Sequence, residues 1–178
     1  MAKFDFINTR IKDLYIIEPR IYSDNRGYFM ETYNYRDFKD AGLDMTFVQD
    51  NQSKSNKGVL RGLHFQKKYP QGKLVRVTKG AVYDVAVDIR EWSETYGQWL
   101  GVILTEENNK QLFIPEGFAH GFLVLSDEAE FIYKCTQYYH PEDEHGIIWS
   151  DKTLNVDWDN FNIAEFIISD KDKNWGTF

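Results

Sequence analysis

The sequence predicts an all-β sandwich or barrel. About eight to ten short apolar runs are separated by turn residues at intervals of roughly 8–12 positions. Some of these runs alternate, as where Tyr83, Val85, Val87 and Ile89 oppose Asp84 and Asp88, which is the period of a half-buried strand. Aromatic residues make up 16% of the 178 positions, and their side chains suit a pleated surface.

The elements follow in order. Tyr15 to Arg20 is an apolar burst stopped by Pro19, which suits an edge strand. Ser23-Asp24-Asn25-Arg26-Gly27 is a turn leading into a strand Tyr28–Tyr33, with Arg26 and Glu31 at its ends as a solvated pair. Asn34 caps a short helix that ends at Gly42, carrying Phe38, Ala41 and Leu43. Phe47 to Ser53 turns from apolar to amide-rich, and Ser53 to Gly58 reads as a polar loop.

Strands are expected next from Val59 to Gln66 and from Lys73 to Thr78, then, after a tight turn at Lys79-Gly80, from Ala81 to Ile89. In the first of these, strict alternation puts Arg61 and His64 on opposite faces. They share a site only if the strand bulges or starts late, and Gly62 is where a bulge would be tolerated. Trp99–Thr105, Gln111–Ile114, Phe118–Val124, Phe131–Tyr139 and Gly146–Trp149 complete the strands. Tyr133 and Tyr139, six residues apart, then face the same space.

The chain is long enough for one well-filled core, and we expect a single domain, 1–178. A net charge of -7 argues against a broad nucleic-acid or anionic-membrane surface, although basic residues can still cluster around a small anion. No run approaches the ~20 apolar residues of a membrane-spanning helix. The single Cys135 has no partner for a disulfide, and the first residues carry no processing signal, so a cytoplasmic protein is expected.

Among chemistries, a catalytic metal is the first to weigh. His64-Phe65-Gln66 has Gln66 where a His-x-His pair needs its second ligand, and His120, His140 and His145 restore no ligand spacing, so no metal is expected. There is no nucleophile elbow and no glycine-rich phosphate loop. General acid/base chemistry remains, with His64 as a base near neutral pH and Tyr133 as an opposing acid. Each of these side chains, Lys73 included, also has an ordinary structural role open to it.

Seven motifs, in order, resemble those of the dTDP-4-dehydrorhamnose 3,5-epimerase family. They are Arg26-Gly27-Tyr28-Phe29-Met30-Glu31, Gln49-Asp50-Asn51, Leu60 to Gln66, Gln71 to Val77, Pro115 to Phe122, Tyr133-Lys134-Cys135-Thr136 and Ser169-Asp170-Lys171-Asp172. The resemblance implies a cupin-like double-stranded β-helix, or jelly roll, with a few short helices, acting as a homodimer without cofactor or metal. The implied substrate is dTDP-4-dehydro-6-deoxy-D-glucose and the product dTDP-4-dehydro-L-rhamnose. By motif, His64 is the base, Asp172 its partner, Tyr133 the acid, and Lys73 lies near the C4 carbonyl. Arg26, Glu31, Gln49, Asn51, Arg61, His120, Glu144 and Lys171 are implied to hold the substrate, with Tyr139 and Phe29 on the thymine. The N-terminal hairpin is implied to reach the partner subunit's site, and longer tails than Lys173 to Phe178 are implied after the last motif. Two other readings stay open: an epimerase for C3 or C5 alone, and a catalytically silent sugar-nucleotide binder.

Overall fold

A computed structural model describes residues 2–178. Its thirteen strands form two antiparallel sheets and a small hairpin. In chain order they are β1 (Phe4–Asn8), β2 (Tyr15–Pro19), β3 (Tyr22–Asp24), β4 (Gly27–Phe29), β5 (Gln49–Asn56), β6 (Leu60–Gln66) and β7 (Lys73–Lys79). There follow β8 (Ala81–Asp88), β9 (Trp99–Thr105), β10 (Gln111–Ile114), β11 (Phe118–Val124), β12 (Glu128–Cys135) and β13 (Glu144–Gly146). The helices are α1 (Tyr35–Asp40) and α2 (Asp170–Lys173), beside two single 3-10 turns.

One sheet has the order β1-β2-β10-β7-β12-β5 and the other β13-β6-β11-β8-β9; β3 and β4 pair only with each other. Val75, Val77, Leu112, Ile114 and Phe131 from the first sheet meet Val82, Ala86, Leu104, Phe122 and Val124 from the second in one apolar core. Each such Val, Leu, Ile or Phe side chain withdrawn from water contributes about 1.5–3 kcal/mol. Two smaller clusters cover the outer faces. Phe38 of α1 packs with Phe4, Ile17, Leu74 and Phe113 on one, while Leu154 and Trp158 lie with Leu60, Tyr83 and Val85 on the other.

The expected fold class holds, as do most strands and the helix. Asn34 caps α1 by accepting from the backbone N–H of Arg36 and Asp37, and Gly42 takes a φ of +89° just after it.

Several details differ. The strand expected from Tyr28 to Tyr33 ends at Phe29. β2 is not an edge strand, because β1, which the alternation did not reveal, pairs along its whole length. The polar stretch 49–56 is a strand, β5, paired with β12 from Gln49↔Cys135 to Asn56↔Glu128. The Lys79-Gly80 turn carries the chain from one sheet to the other instead of closing a hairpin. β12 stops at Cys135 and β13 at Gly146, where the Thr136 hydroxyl and backbone turn to Gly72 and the chain after 146 turns to Gly176.

Candidate active site

At one end of the sandwich the facing side chains change from apolar to polar, and a cavity of about 330 Å³ opens between the sheets. Phe131 is its floor: 1% exposed, it stacks on Phe122 at 4.4 Å and belongs to the apolar core. Strand register sets the walls. Lys73, Cys135 and Gln49 lie in one row across β7, β12 and β5, and Tyr133 and Asn51 are opposite each other two positions on. On the facing sheet His64 of β6 is opposite His120 of β11.

Arg61 and His64 both line the cavity although they are three positions apart. The β6–β11 register explains it: His120 pairs with His64 and Phe122 with Arg61, so three steps on β6 match two on β11. The extra residue is a bulge in the stretch containing Gly62, and it turns Arg61 to the inner face. A Cβ on Gly62 would lie 2.6 Å from Gly121 Cα and from the His120 carbonyl oxygen; one on Gly121 would lie 2.6 Å from the Arg61 carbonyl oxygen.

The His64 side chain is 26% exposed and its Nε2 is 2.6 Å from Oδ1 of Asp172, which α2 delivers from behind. Ser169 caps α2 by accepting from Asp172 N, and the Asp172 side chain is only 4% exposed. Burial pushes the Asp172 carboxyl up, but bonds from His64, the Trp175 indole and Gly62 N–H outweigh it and hold the carboxyl below its usual range. With Nε2–H donated to the carboxylate, Nδ1 carries the lone pair that can take a proton.

Tyr133 comes from the opposite sheet. Burial, aided by Cys135 and against the pull of Arg61, raises its pKa, so it enters any reaction as a protonated phenol. Lys73 is half-buried in the wall, and loss of water pushes its ammonium below the ordinary lysine value despite Cys135, Asp84 and Glu144. Burial likewise lowers His120, whose Nε2 is 2.9 Å from Oδ2 of Asp84.

The mouth is polar. Lys171 Nζ and Tyr139 OH donate to the two oxygens of Glu144 at 2.8 and 2.6 Å. The bond to Glu144 pushes the Tyr139 phenol up to about 12. Arg61 is fixed by two bonds to Ser55 Oγ, at 3.2 and 3.0 Å. Gln49 accepts from Tyr139 N and donates to Asn51, which points on to Cys135 Sγ. Gln66 spends its amide on the backbone of Tyr69, Tyr138 and His140. Among the described residues no three His, Cys, Asp or Glu side chains converge as metal ligands would.

The structure thus brings His64, Tyr133, Lys73, Gln49, Asn51, Arg61, His120, Tyr139, Glu144 and Lys171 to one cavity, with Asp172 behind His64. It does not bring Arg26, Phe29 or Glu31 there. Arg26 pairs with Asp24 at 2.5 Å, and Phe29 is 66% exposed on the β3–β4 hairpin. Glu31 does not pair with Arg26, as the solvated-pair reading had it, but with Lys3 at 2.6 Å and Asn34 at 2.9 Å. Sequence reasoning missed Asp84, Ser55 and Trp175 as supporting groups. The alternation over 81–89 sets Asp84 apart from the apolar face of a half-buried strand, whereas both faces of β8 are buried.

The family model described as dTDP-4-dehydrorhamnose 3,5-epimerase matches residues 8–178. A relative of that name from Methanothermobacter thermautotrophicus is 57% identical over 175 residues, covering 98% of this chain and 95% of its own. The crystal structure of dTDP-6-deoxy-D-glucose-3,5-epimerase from Legionella pneumophila in complex with dTDP-4-keto-L-rhamnose has a TM-score of 0.94 at 52% identity, covering 98% and 92%. That of ChmJ, a 3'-monoepimerase from Streptomyces bikiniensis, in complex with dTDP-quinovose has a TM-score of 0.89 at 34% identity, covering 96% and 86%. The match spans nearly the whole chain and every cavity-lining strand, and the chain belongs to the dTDP-4-dehydrorhamnose 3,5-epimerase family.

Proposed function

We propose that this chain converts dTDP-4-dehydro-6-deoxy-D-glucose to dTDP-4-dehydro-L-rhamnose, a step toward dTDP-L-rhamnose, by inverting C3 and C5. The observation that carries this reading is that a carboxylate-backed imidazole and a protonated phenol project from opposite sheets into one cavity, beside a desolvated ammonium.

The C4 ketone acidifies hydrogens on both neighbouring carbons. Nδ1 of His64 takes the proton from C5 or C3, the C–H electrons move to the C4 oxygen, and the imidazolium is steadied by Asp172. The enolate oxygen carries the new charge; Lys73 meets it from β7, and the cation is worth more there because burial has stripped part of its water. Tyr133 then gives its proton to the opposite face of the same carbon, inverting it. Exchange with water returns the proton from His64 and restores the phenol, so no electrons are gained or lost and the scheme calls for neither a redox cofactor nor a metal.

Arg61 and Lys171 are the cations for the diphosphate, Arg61 with its planar fork. Tyr139 supplies a ring for the thymine, and Gln49, Asn51, His120 and Glu144 supply hydrogen bonds. Arg26, Phe29 and Glu31 belong to this reading only through a second copy. In a homodimer the exposed β3–β4 hairpin would carry them to the partner's cavity. A single cytoplasmic domain is the setting we infer for this activity. The test is hydrogen exchange: with the dTDP-4-keto sugar in deuterated water, deuterium should enter at both C3 and C5. Label at one carbon alone would make the chain a mono-epimerase, and no label at all would make it a binder.

A further inference from the structure

The groups that hold Asp172 do more than bury it. Oδ1 accepts both His64 Nε2 at 2.6 Å and the indole Nε1–H of Trp175 at 3.2 Å, while Oδ2 has only Gly62 N at 3.5 Å, the outer limit of a hydrogen bond. The Trp175 ring also meets His64 edge-on, 6.1 Å between centroids at 72°. It sits in a slot made by Gly146, the residue opposite His64 in the β13–β6 register, where a Cβ would come within 2.5 Å of the indole. The following residues are stitched down by Ile148 N to Gly176 O at 2.8 Å and Phe178 N to Asp151 Oδ2 at 2.9 Å.

We propose that Trp175, which lies outside the cavity, is a positioning residue for proton abstraction: its N–H sets the plane of the Asp172 carboxylate, and that plane sets the direction of the His64 lone pair. The inference rests on His64 being the base. Two donors on Oδ1 define a carboxylate orientation that a four-residue helix with one strong side-chain contact would leave free to turn. The indole also withdraws charge from the carboxylate; its loss leaves Asp172 more basic and better able to retain the proton shared with His64.

Trp175→Phe keeps a ring in the Gly146 slot and deletes the donor. The expected result is kcat lower by roughly 5- to 20-fold, KM within about twofold, and the acidic limb of the kcat/KM profile moved upward by roughly 0.3–0.5 pH unit. The other charged groups lining the cavity near the dyad, Arg61, Lys73, His120, Glu144 and Lys171, are left in place. An unchanged kcat, a loss carried by KM, or a fall in kcat with an unmoved limb overturns the proposal. The unsubstituted protein gives a check needing no variant. The Trp175 Nε1–H resonance should shift together with the His64 ring signals as the dyad titrates, and an indole signal that ignores the titration also overturns it. Absence of turnover by the unsubstituted enzyme would count against the base assignment instead, and this resonance would still report whether the indole is coupled to the dyad.

Discussion

Two histidine–aspartate pairs stand next to each other on the β6–β11 ladder, His64 with Asp172 and His120 with Asp84. Their chemistry on paper is the same; their surroundings are not. The His64 side chain is 26% exposed, and its partner comes from a helix outside the sheets. That of His120 is 8% exposed, and its partner, fully buried, lies on the adjacent strand β8. Burial drives His120 toward its neutral form, so it serves as a fixed donor or acceptor in the wall, whereas His64 has open space in which to meet a moving proton. On the proposed mechanism, what separates a proton carrier from a wall residue is solvation and where the carboxylate is anchored, not residue type.

Substitutions can break that comparison. The largest effect is expected from His64→Ala, which should lower kcat/KM by about 10³–10⁴-fold and abolish deuterium uptake, with the fold intact by circular dichroism. Retention of exchange would move the base elsewhere, His120 being the first alternative. Tyr133→Phe should cost about 10²-fold in product formation while deuterium still enters recovered substrate with unchanged configuration, because the base works and the opposite acid is gone. Inverted product at the normal rate would remove Tyr133 from the mechanism.

Asp84→Ala sharpens the contrast from the other side. It strands a buried imidazole, so the expected cost is stability, about 2–3 kcal/mol by urea titration, with turnover reduced less than tenfold. A collapse of kcat with unchanged stability would give this pair a chemical role equal to the first. The smallest effect concerns pH. Because the fold lowers the His120 pKa, the unfolded chain binds the extra proton first, and stability should decline as pH falls below 6.5, the ordinary imidazole value. Asp172, lowered in its turn, adds a separate loss only below 3.8. Thermal melts of the unsubstituted protein and of His120→Gln between pH 5 and 7 check this, since the variant should lack the first decline.

The sequence made His64 and Tyr133 legible because each sits in a strand whose apolar neighbours alternate, and the seven motifs added Asp172, which has no periodic signal of its own. It even stated the condition for Arg61 to join His64, and the bulge in the stretch containing Gly62 meets that condition. What it hid has one physical origin. β5 faces the cavity with Gln49, Asn51 and Ser53, so a strand whose inner face is a polar wall looks like a loop to any reading that searches for apolar alternation. Asp84 stayed unread as a partner because its bond to His120 joins neighbouring strands 36 residues apart in the chain, a pairing that strand periodicity alone does not reveal. Trp175 stayed unread because its slot exists only once Gly146 is folded against it.

The glycine pair at the β6–β11 crossing has a further consequence for anyone redesigning this enzyme. Gly62 and Gly121 contribute no side chain to bind anything, yet the crowding between them is what permits the kink that aims a cation and an imidazole the same way. A mutational library should therefore show a blank column at both positions, as intolerant as the dyad itself. Specificity in this scaffold has to be changed from the β5 and β12 side, where the wall can be rewritten without disturbing that hinge of bare backbone.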